Sequence, residues 1–248
     1  MNKTELSSLQ QETYSRQIIV KDISEKGQLK LAGASVFVAG CGGLGSAVLY
    51  YLTATGIGHL GFCDHDRVSQ SNLNRQILFT AADIGKPKAE AAEKRLLALN
   101  PHLKTSVFNK ILDEKLAKTI IKEYDIVVDC LDNFKTRFLL NDICVKEKVP
   151  LIHAGVGEFY GQMMTVIPGK GPCLRCVFPN GEKPEKQKEN EGIIGPVPGI
   201  IGSMQALEAV KYLLDLPVCS NGLKIFDGQA LTLDTIELTR AVNCICSK

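Results

Sequence analysis

The chain has 248 residues, of which 45% are hydrophobic, and a formal net charge of +2 from 29 basic and 27 acidic side chains. This length and composition suit one α/β folding unit, and the balanced charge argues against nucleic acid or an anionic membrane as a partner. The N-terminal residues lack the apolar core of a signal peptide, and no run of about 18 apolar residues occurs. We therefore expect a cytoplasmic protein whose nine cysteines are reduced or bound to metal.

The first predicted elements are a strand, a glycine turn, a helix and a strand at residues 36–39, 40–45, 43–55 and 59–64. The turn reads GCGGLG, the pattern of a nucleotide-binding loop between a strand and a helix. Gly40 permits the tight turn, Gly42 lets backbone N–H groups approach phosphate oxygens, and Gly45 lets the helix pack on the strand. Asp64 ends the second strand, where its carboxylate can accept hydrogen bonds from ribose hydroxyls. The motif predicts a nucleotide and leaves open which one.

The next predicted elements are a helix, a strand, a helix and a fully apolar strand at residues 86–99, 105–108, 113–122 and 126–130. Asp132 and Asn133 follow the last strand. Ligands of an open α/β sheet bind beyond the carboxyl ends of its strands, so Asp64 and Asp132 should converge with the glycine turn. As an alternative, Asp132 could cap the helix that begins near Phe134.

The second half of the chain changes character. Short strands are predicted at residues 151–154, 161–168, 224–227 and 231–238, with an apolar helix at 199–214. The charged, proline-containing segment 181–191 is predicted to be a mobile surface loop. The predicted fold class is α/β, with a Rossmann-like, mostly parallel central sheet that is flanked by helices and continues into antiparallel strands. Residues 1–248 then form a single domain, with an N-terminal arm at 1–30 and halves at 31–150 and 151–248.

Two cations follow the nucleotide-binding turn and its acidic neighbour. Arg75 lies in the segment SNLNRQ, and Lys88 lies in the segment GKPK at the start of a predicted helix. Isolated Arg and Lys side chains are usually solvated surface charges. Here both follow the nucleotide strand, where they would supply positive charge to a triphosphate.

Several motifs together resemble the ThiF/MoeB/HesA superfamily, the bacterial relatives of ubiquitin-activating enzymes. They span nearly the whole chain in the family's order. They are YSRQ at 14–17, GCGGLG at 40–45, DHD at 64–66, SNLNRQ at 71–76, GKPK at 85–88, DCLDN at 129–133 and GPVPGIIG at 195–202.

The resemblance implies an adenylation reaction that uses ATP and magnesium. The C-terminal glycine carboxylate of a ubiquitin-like sulfur carrier, ThiS- or MoaD-like, attacks the α-phosphate and releases pyrophosphate. The residues implied to bind the nucleotide are Gly40, Gly42, Gly43, Gly45, Asp64, Asn72, Arg75, Gln76, Lys88 and Asp132. Those implied to be catalytic are Arg16, Arg75, Lys88 and Asp132.

Individual roles are also implied by the resemblance. Asp64 binds the ribose, with Asp66 as a rival, and Asp132 binds magnesium. Asn72, like Arg75 and Lys88, contacts the phosphates. Arg16 resembles an arginine that the second subunit of a homodimer contributes to the triphosphate, so a homodimer is expected.

The pair Cys173 and Cys176 has the C-x-x-C spacing of a zinc knuckle, with free thiols as the alternative. In the family such a pair is half of a four-cysteine structural zinc site, which a second C-x-x-C completes. Here the second pair is Cys244 and Cys246, one residue short, so its geometry is open. The cysteines at positions 41, 63, 130 and 144 are predicted to be small buried hydrophobes.

Many relatives place a reactive cysteine shortly before the segment that begins GIIGP. This chain has no cysteine between Cys176 and Cys219. We therefore expect a separate, persulfide-bearing sulfur donor, and segment 181–191 is a lid over the carrier's tail or a solvated loop. Two other functions remain: an NAD(P)-dependent oxidoreductase, from the glycine turn and Asp64, and a non-catalytic binding module. The motifs leave open whether the pathway makes thiamine or the molybdenum cofactor.

Overall fold

One mixed sheet forms the centre of the molecule, whose computed structural model describes residues 5–179 and 192–247. The strands are β1 Ser35–Ala39, β2 His59–Cys63, β3 Lys104–Phe108, β4 Ile126–Asp129, β5 Leu151–Gly157, β6 Tyr160–Val166, β7 Gly222–Asp227 and β8 Thr232–Glu237. They pair in the order β3-β2-β1-β4-β5-β6-β7-β8. Strands β1 to β5 are parallel, and β5 to β8 are antiparallel. The predicted fold class is confirmed.

Helices pack on both faces of this sheet. They are α1 Ser8–Thr13, α2 Ser15–Ile18, α3 Ser24–Gly33, α4 Gly43–Thr55, α5 Lys88–Leu99, α6 Glu114–Ile120, α7 Phe134–Glu147, α8 Leu174–Val177 and α9 Pro196–Leu213. Helices α4, α5 and α9 contribute to the core on one face, and α6 and α7 contribute to the core on the other.

The two cores explain why the central parallel strands β1 and β4 are apolar over most of their length. Side chains alternate between the faces of a strand, so Val36 and Val38 of β1 enter one core and Phe37 enters the other. All three are fully buried. A strand covered on both faces cannot show the apolar and polar alternation of a half-exposed strand. A continuous apolar run in the sequence therefore indicates a parallel strand that is buried on both faces.

The antiparallel half ends in an open edge. Every residue of β8 is exposed, although β7 pairs with it along its full length. Exposed β8 residues include Leu233 and Ile236, each of which is followed by an acidic residue, Asp234 and Glu237. This edge strand therefore adds backbone hydrogen bonds and little burial.

Several element boundaries differ from the predictions by one or more residues, and the structure adds helices in the N-terminal arm. The N-terminal arm contains helices, and its residues Tyr14 and Gln28 are buried, so it packs on the domain. Strand β5 extends to Gly157 because β6 pairs with it up to that residue. Helix α9 begins at Pro196 because proline suits the first turn of a helix, where no backbone N–H is needed.

Within residues 5–179 and 192–247, none of the helices combines the length and the apolar character needed to cross a membrane. The predicted surface loop at 181–191 lies outside the described residues.

Candidate active site

A cavity of about 810 Å³ opens at the carboxyl ends of the parallel strands. Most of the residues predicted to bind a nucleotide line it, as the rule for open α/β sheets requires. They are Gly40, Gly42, Gly43, Asp64, Arg75, Gln76, Lys88 and Asp132. Gly45, Asn72 and Arg16 do not line it.

The glycine turn is shaped by contacts that exclude side chains. Gly40 has a left-handed φ of 98°, and a Cβ atom there would lie 2.7 Å from the carbonyl oxygen of Cys130. A Cβ atom at Gly45 would lie 2.1 Å from the carbonyl oxygen of Gly40. Gly45 therefore supports the turn from behind, while Gly42 and Gly43 at the start of α4 face the cavity. This helix N-terminus presents backbone N–H groups to an anion.

Asp64 is fixed by backbone amides at the end of β2. Its Oδ2 accepts from the N–H of Cys41 at 2.9 Å, and its Oδ1 accepts from the N–H of Asp66 at 2.9 Å. Asp66 has a different partner, because its Oδ2 lies 3.0 Å from Lys88 Nζ. The side chain of Lys88 is only 7% exposed, so this carboxylate offsets the cost of burying an ammonium group.

Arg75 reaches the cavity from the segment after β2. Its Nη1 donates to the carbonyl oxygen of Ser71 at 2.9 Å and to Asn74 Oδ1 at 3.0 Å. Gln76 is buried, and its Oε1 has no hydrogen-bond partner in the part of the chain that the structure describes. Asn72 Oδ1 instead accepts from the N–H of Ser69 at 3.1 Å. The Asn72 side chain thus holds the 3-10 turn Gln70–Asn72, and its contact with phosphate stays a prediction.

Asp132 and Asn133 have separate roles. Asn133 is the N-cap of α7, and its Oδ1 accepts from the N–H of Thr136 at 2.9 Å. The alternative in which Asp132 caps this helix is therefore wrong. Asp132 lies exposed on the cavity wall, where its carboxylate is the kind of oxygen ligand that magnesium prefers.

A buried polar cluster that the motifs did not reveal lies beside the cavity. Asp129 and His153 are register partners in β4 and β5, and Asp129 Oδ2 lies 2.7 Å from His153 Nδ1. Burial, above all, lowers the pKa of His153, so its ring is neutral and donates from Nδ1 to the carboxylate. Arg137 Nε lies 3.9 Å from the same carboxylate oxygen, and Arg137 Nη2 donates to the carbonyl oxygen of Leu131. One signal was present: Asp129 is a charged residue in an otherwise apolar strand.

The four cysteines of the predicted zinc site come together. Cys173 Sγ lies 3.4 Å from Cys244 Sγ, Cys176 Sγ lies 3.4 Å from Cys246 Sγ, and all four sulfurs lie within 4.8 Å of one another. Zinc–sulfur bonds of about 2.3 Å in a tetrahedron place sulfurs about 3.8 Å apart, so the residues fit the metal. The second pair has a shorter spacing, and its Cys246 lies in the 3-10 turn Ile245–Ser247.

The remaining predictions about cysteine and arginine have mixed outcomes. Cys41, Cys63, Cys130 and Cys144 are buried, as predicted. Burial raises the pKa of Cys63 to about 12, so it is an inert thiol at neutral pH. Arg16 is exposed on α2 and lies outside the cavity, so its role across a dimer interface stays a prediction.

Known proteins resemble this chain in sequence and in fold. The model of the ThiF family matches residues 14–248. The sulfur carrier protein ThiS adenylyltransferase of Escherichia coli K12 is 40% identical over 232 residues, which cover 93% of this chain and 92% of that protein. The adenylyltransferase and sulfurtransferase MOCS3 of Drosophila persimilis is 44% identical over 239 residues, which cover 94% of this chain and 53% of that protein. The chain therefore spans about half the length of the MOCS3 proteins that it matches.

Solved structures of E. coli MccB share the fold. The complex of MccB with ATP has a TM-score of 0.82 and 26% identity, covering 94% of this chain and 73% of MccB. The complex with MccA-N7isoASN has a TM-score of 0.85 and 25% identity, covering 98% of this chain and 76% of MccB. From the family match and the E. coli relative of nearly equal length, the chain belongs to the ThiF family.

Proposed function

We propose that this protein is an ATP-dependent adenylyltransferase. It activates the C-terminal glycine of a ubiquitin-like sulfur carrier, ThiS- or MoaD-like, for sulfur transfer in thiamine or molybdenum cofactor biosynthesis. The observation that carries the proposal is the convergence of the glycine turn, Asp64, Arg75, Lys88 and Asp132 on one cavity. The named relatives, which are adenylyltransferases, support the same reaction class.

The cavity residues divide the work of nucleotide binding. Asp64 faces the ribose, and the backbone N–H groups at the start of α4 face the phosphates. Arg75 and Lys88 supply positive charge to the triphosphate. Lys88 Nζ lies 3.0 Å from Asp66 Oδ2. When a phosphate binds, Lys88 would either leave Asp66 for the phosphate or contact both. Asp132 would hold magnesium, which neutralises phosphate charge when it is bound.

The proposed step needs no covalent enzyme intermediate. A carboxylate oxygen of the carrier forms a bond to the α-phosphorus, and the bond from that phosphorus to the oxygen bridging to the β-phosphate breaks. The electron pair leaves with pyrophosphate, and the carrier becomes an acyl-adenylate. Negative charge grows at the phosphorus centre, where Arg75 and Lys88 stabilise it.

Three further parts of the proposal concern metal and partners. The cysteine cluster at positions 173, 176, 244 and 246 would hold a structural zinc ion, with all four ligand positions filled by the protein. A separate persulfide-bearing protein would donate the sulfur, since no cysteine lies between Cys176 and Cys219. A homodimer would let Arg16 reach the partner's triphosphate.

Carrier-dependent ATP–pyrophosphate exchange tests the proposal. Purified ThiS- and MoaD-like carriers with Gly-Gly C-termini should each be offered, and at least one should support exchange. Failure of both would contradict the proposal. Arg75→Ala should abolish the exchange while the protein stays folded, because the side chain is only half-buried; wild-type exchange would exclude a phosphate role for Arg75.

Titration with NADH and with ATP separates the alternative functions. Tight NADH binding without ATP binding would favour an oxidoreductase. ATP binding without exchange for any carrier would favour a non-catalytic binding module. We expect ATP binding, because Arg75 and Lys88 lie where a triphosphate needs positive charge, and because the glycine turn accompanies them.

A further inference from the structure

The β5 side of the cavity contains a small polar pocket that none of the roles above uses. Gly155 in β5 and Gln162 in β6 are cross-strand partners. A Cβ atom built at Gly155 would lie 3.2 Å from Gln162 Nε2 and 3.5 Å from Arg137 Nη1. Two side-chain nitrogens that carry N–H groups therefore lie close to Gly155, on a face of β5 that has no side chain at this residue. All three residues line the cavity.

Arg137 is held firmly and keeps hydrogen-bonding capacity for a ligand. Its side chain is 9% exposed, its guanidinium lies 5.4 Å from the centre of the Phe134 ring, and Nη2 donates to the carbonyl oxygen of Leu131. Its Nε is buried without a hydrogen-bond partner among residues 5–179 and 192–247. A buried donor without an acceptor is costly. Nε faces the buried Asp129 carboxylate, so a ligand in the cavity would instead accept from Nη1, the guanidinium nitrogen that lies beside Gly155.

The Asp129–His153 pair keeps the guanidinium in place. The Asp129 carboxylate is fully buried and balances the charge of Arg137 across 3.9 Å, while His153 donates to it at 2.7 Å. Because Asp129 and His153 are neighbours in the sheet, the backbone sets this arrangement. Because the charged donor is already held in place, less conformational entropy is lost when a ligand binds.

We propose that Arg137 and Gln162 bind the C-terminal carboxylate of the carrier in the pocket above Gly155, an inference that rests on the proposed function. A guanidinium hydrogen bond holds the carboxylate in its charged, nucleophilic form, and the Gln162 amide fixes its orientation. Asp64 follows β2, the glycine turn follows β1, Asp132 follows β4, and the pocket lies in β5 and β6. Along the sheet, Asp132 therefore lies between Asp64, the proposed ribose ligand, and the pocket. The nucleoside would bind on the Asp64 side, so the pocket is placed for the nucleophile.

Steady-state ATP–pyrophosphate exchange with E. coli ThiS as carrier tests this proposal. Gly155→Ala fills the pocket, and it should fold because its nearest contact is the end of the flexible Gln162 side chain. We expect the KM for ThiS to rise about 10- to 100-fold, the loss that a charge-assisted hydrogen bond implies, with the KM for ATP within about twofold of wild type. Gln162→Leu and Arg137→Lys should also raise the KM for ThiS, and the rise should be smaller for Gln162→Leu. Gly33→Ala is the control, because an added Cβ there would meet none of the described residues within 4 Å.

An unchanged KM for ThiS in Gly155→Ala and Gln162→Leu would overturn the proposal. So would a rise in the KM for ATP alone, since the pocket would then bind a phosphate oxygen. A second measurement does not depend on adenylation: wild type should bind a peptide ending in Gly-Gly more tightly as the free acid than as the amide, and Gly155→Ala should lose this preference. If wild type prefers the free-acid peptide but catalyses no ATP–pyrophosphate exchange, the proposed function is wrong and the carboxylate pocket is supported. If wild type shows no preference, the pocket fails.

Discussion

The two sides of the cavity are built in different ways. Strands β1, β2 and β4 contribute residues that lie just beyond their carboxyl ends, such as Gly40, Asp64 and Asp132, whereas β5 and β6 contribute residues within the strands, Gly155 and Gln162. Strand ends bring backbone N–H groups and a helix N-terminus to the ligand, which suits phosphates. Positions within paired strands bring side chains into fixed register, which suits a small carboxylate. In the proposed reaction, the parallel side would serve the nucleotide and the antiparallel side would serve the second substrate.

The largest expected effect is on the parallel side. Asp132→Ala should lower the rate of ATP–pyrophosphate exchange by about 10²- to 10³-fold, the usual cost of losing one group that stabilises transition-state charge. The melting temperature should stay near that of wild type, because Asp132 is exposed and does not cap α7. Exchange kinetics and thermal unfolding test both parts. Near-normal exchange at limiting as well as at saturating magnesium would exclude a magnesium-binding role for Asp132.

The next effect concerns the antiparallel half. Cys173→Ser should release bound zinc and lower the melting temperature by about 5–10 °C, the shift expected for about 2–3 kcal/mol in a chain of this length. The reason is that Cys173 and Cys244 join segments 71 residues apart in the chain. Metal analysis and calorimetry are the measurements, with Cys219→Ser as the matched control. Wild-type protein without zinc would contradict the assignment.

A smaller effect is expected at the boundary between the halves. Burial lowers the pKa of His153, so below about pH 6.5 the unfolded chain binds a proton that the folded protein does not. The free energy of unfolding should therefore fall with decreasing pH, by up to about 1.4 kcal/mol per pH unit for this group.

Denaturant titrations at pH 7.5 and pH 5.5 measure this dependence. His153→Gln keeps a donor for Asp129 but does not titrate, so its stability should change less between the two pH values. The pKa of His59 is also lowered, mainly by burial, so part of the dependence should remain. If His153→Gln showed the full wild-type dependence, the buried neutral state of His153 would be excluded.

The smallest effect separates Asp132 from its neighbour. Asn133→Ala should lower the free energy of unfolding by about 1 kcal/mol, because the N-cap hydrogen bond to Thr136 is lost. Urea unfolding of this variant beside Asp132→Ala gives the comparison. Equal stability of the two variants would show that the cap assignment is wrong.

The sequence revealed the parallel side of the site better than the antiparallel side. The glycine turn and Asp64 are local signals, since each follows a recognisable strand by a fixed number of residues. The choice between Asp132 and Asn133 as helix cap needed backbone geometry, because both side chains can cap. Gly155, Gln162 and the Asp129–His153 pair depend on strand register, which no short motif encodes. The sequence identified Cys244 and Cys246 as candidate zinc ligands. Whether their short spacing suits the metal could be judged only from the backbone, which forms a 3-10 turn there.

The contact between Gly45 and Gly40 also limits how this protein can evolve. A methyl group at position 45 would overlap the Gly40 carbonyl oxygen, at 2.1 Å, so the sequence has no room to vary there without losing the turn. At Gly155 the added atom would meet the end of a movable side chain at 3.2 Å. Under the proposed assignment, substitutions in β5 and β6 would alter the site for the second substrate in small steps, while the nucleotide loop would stay as it is.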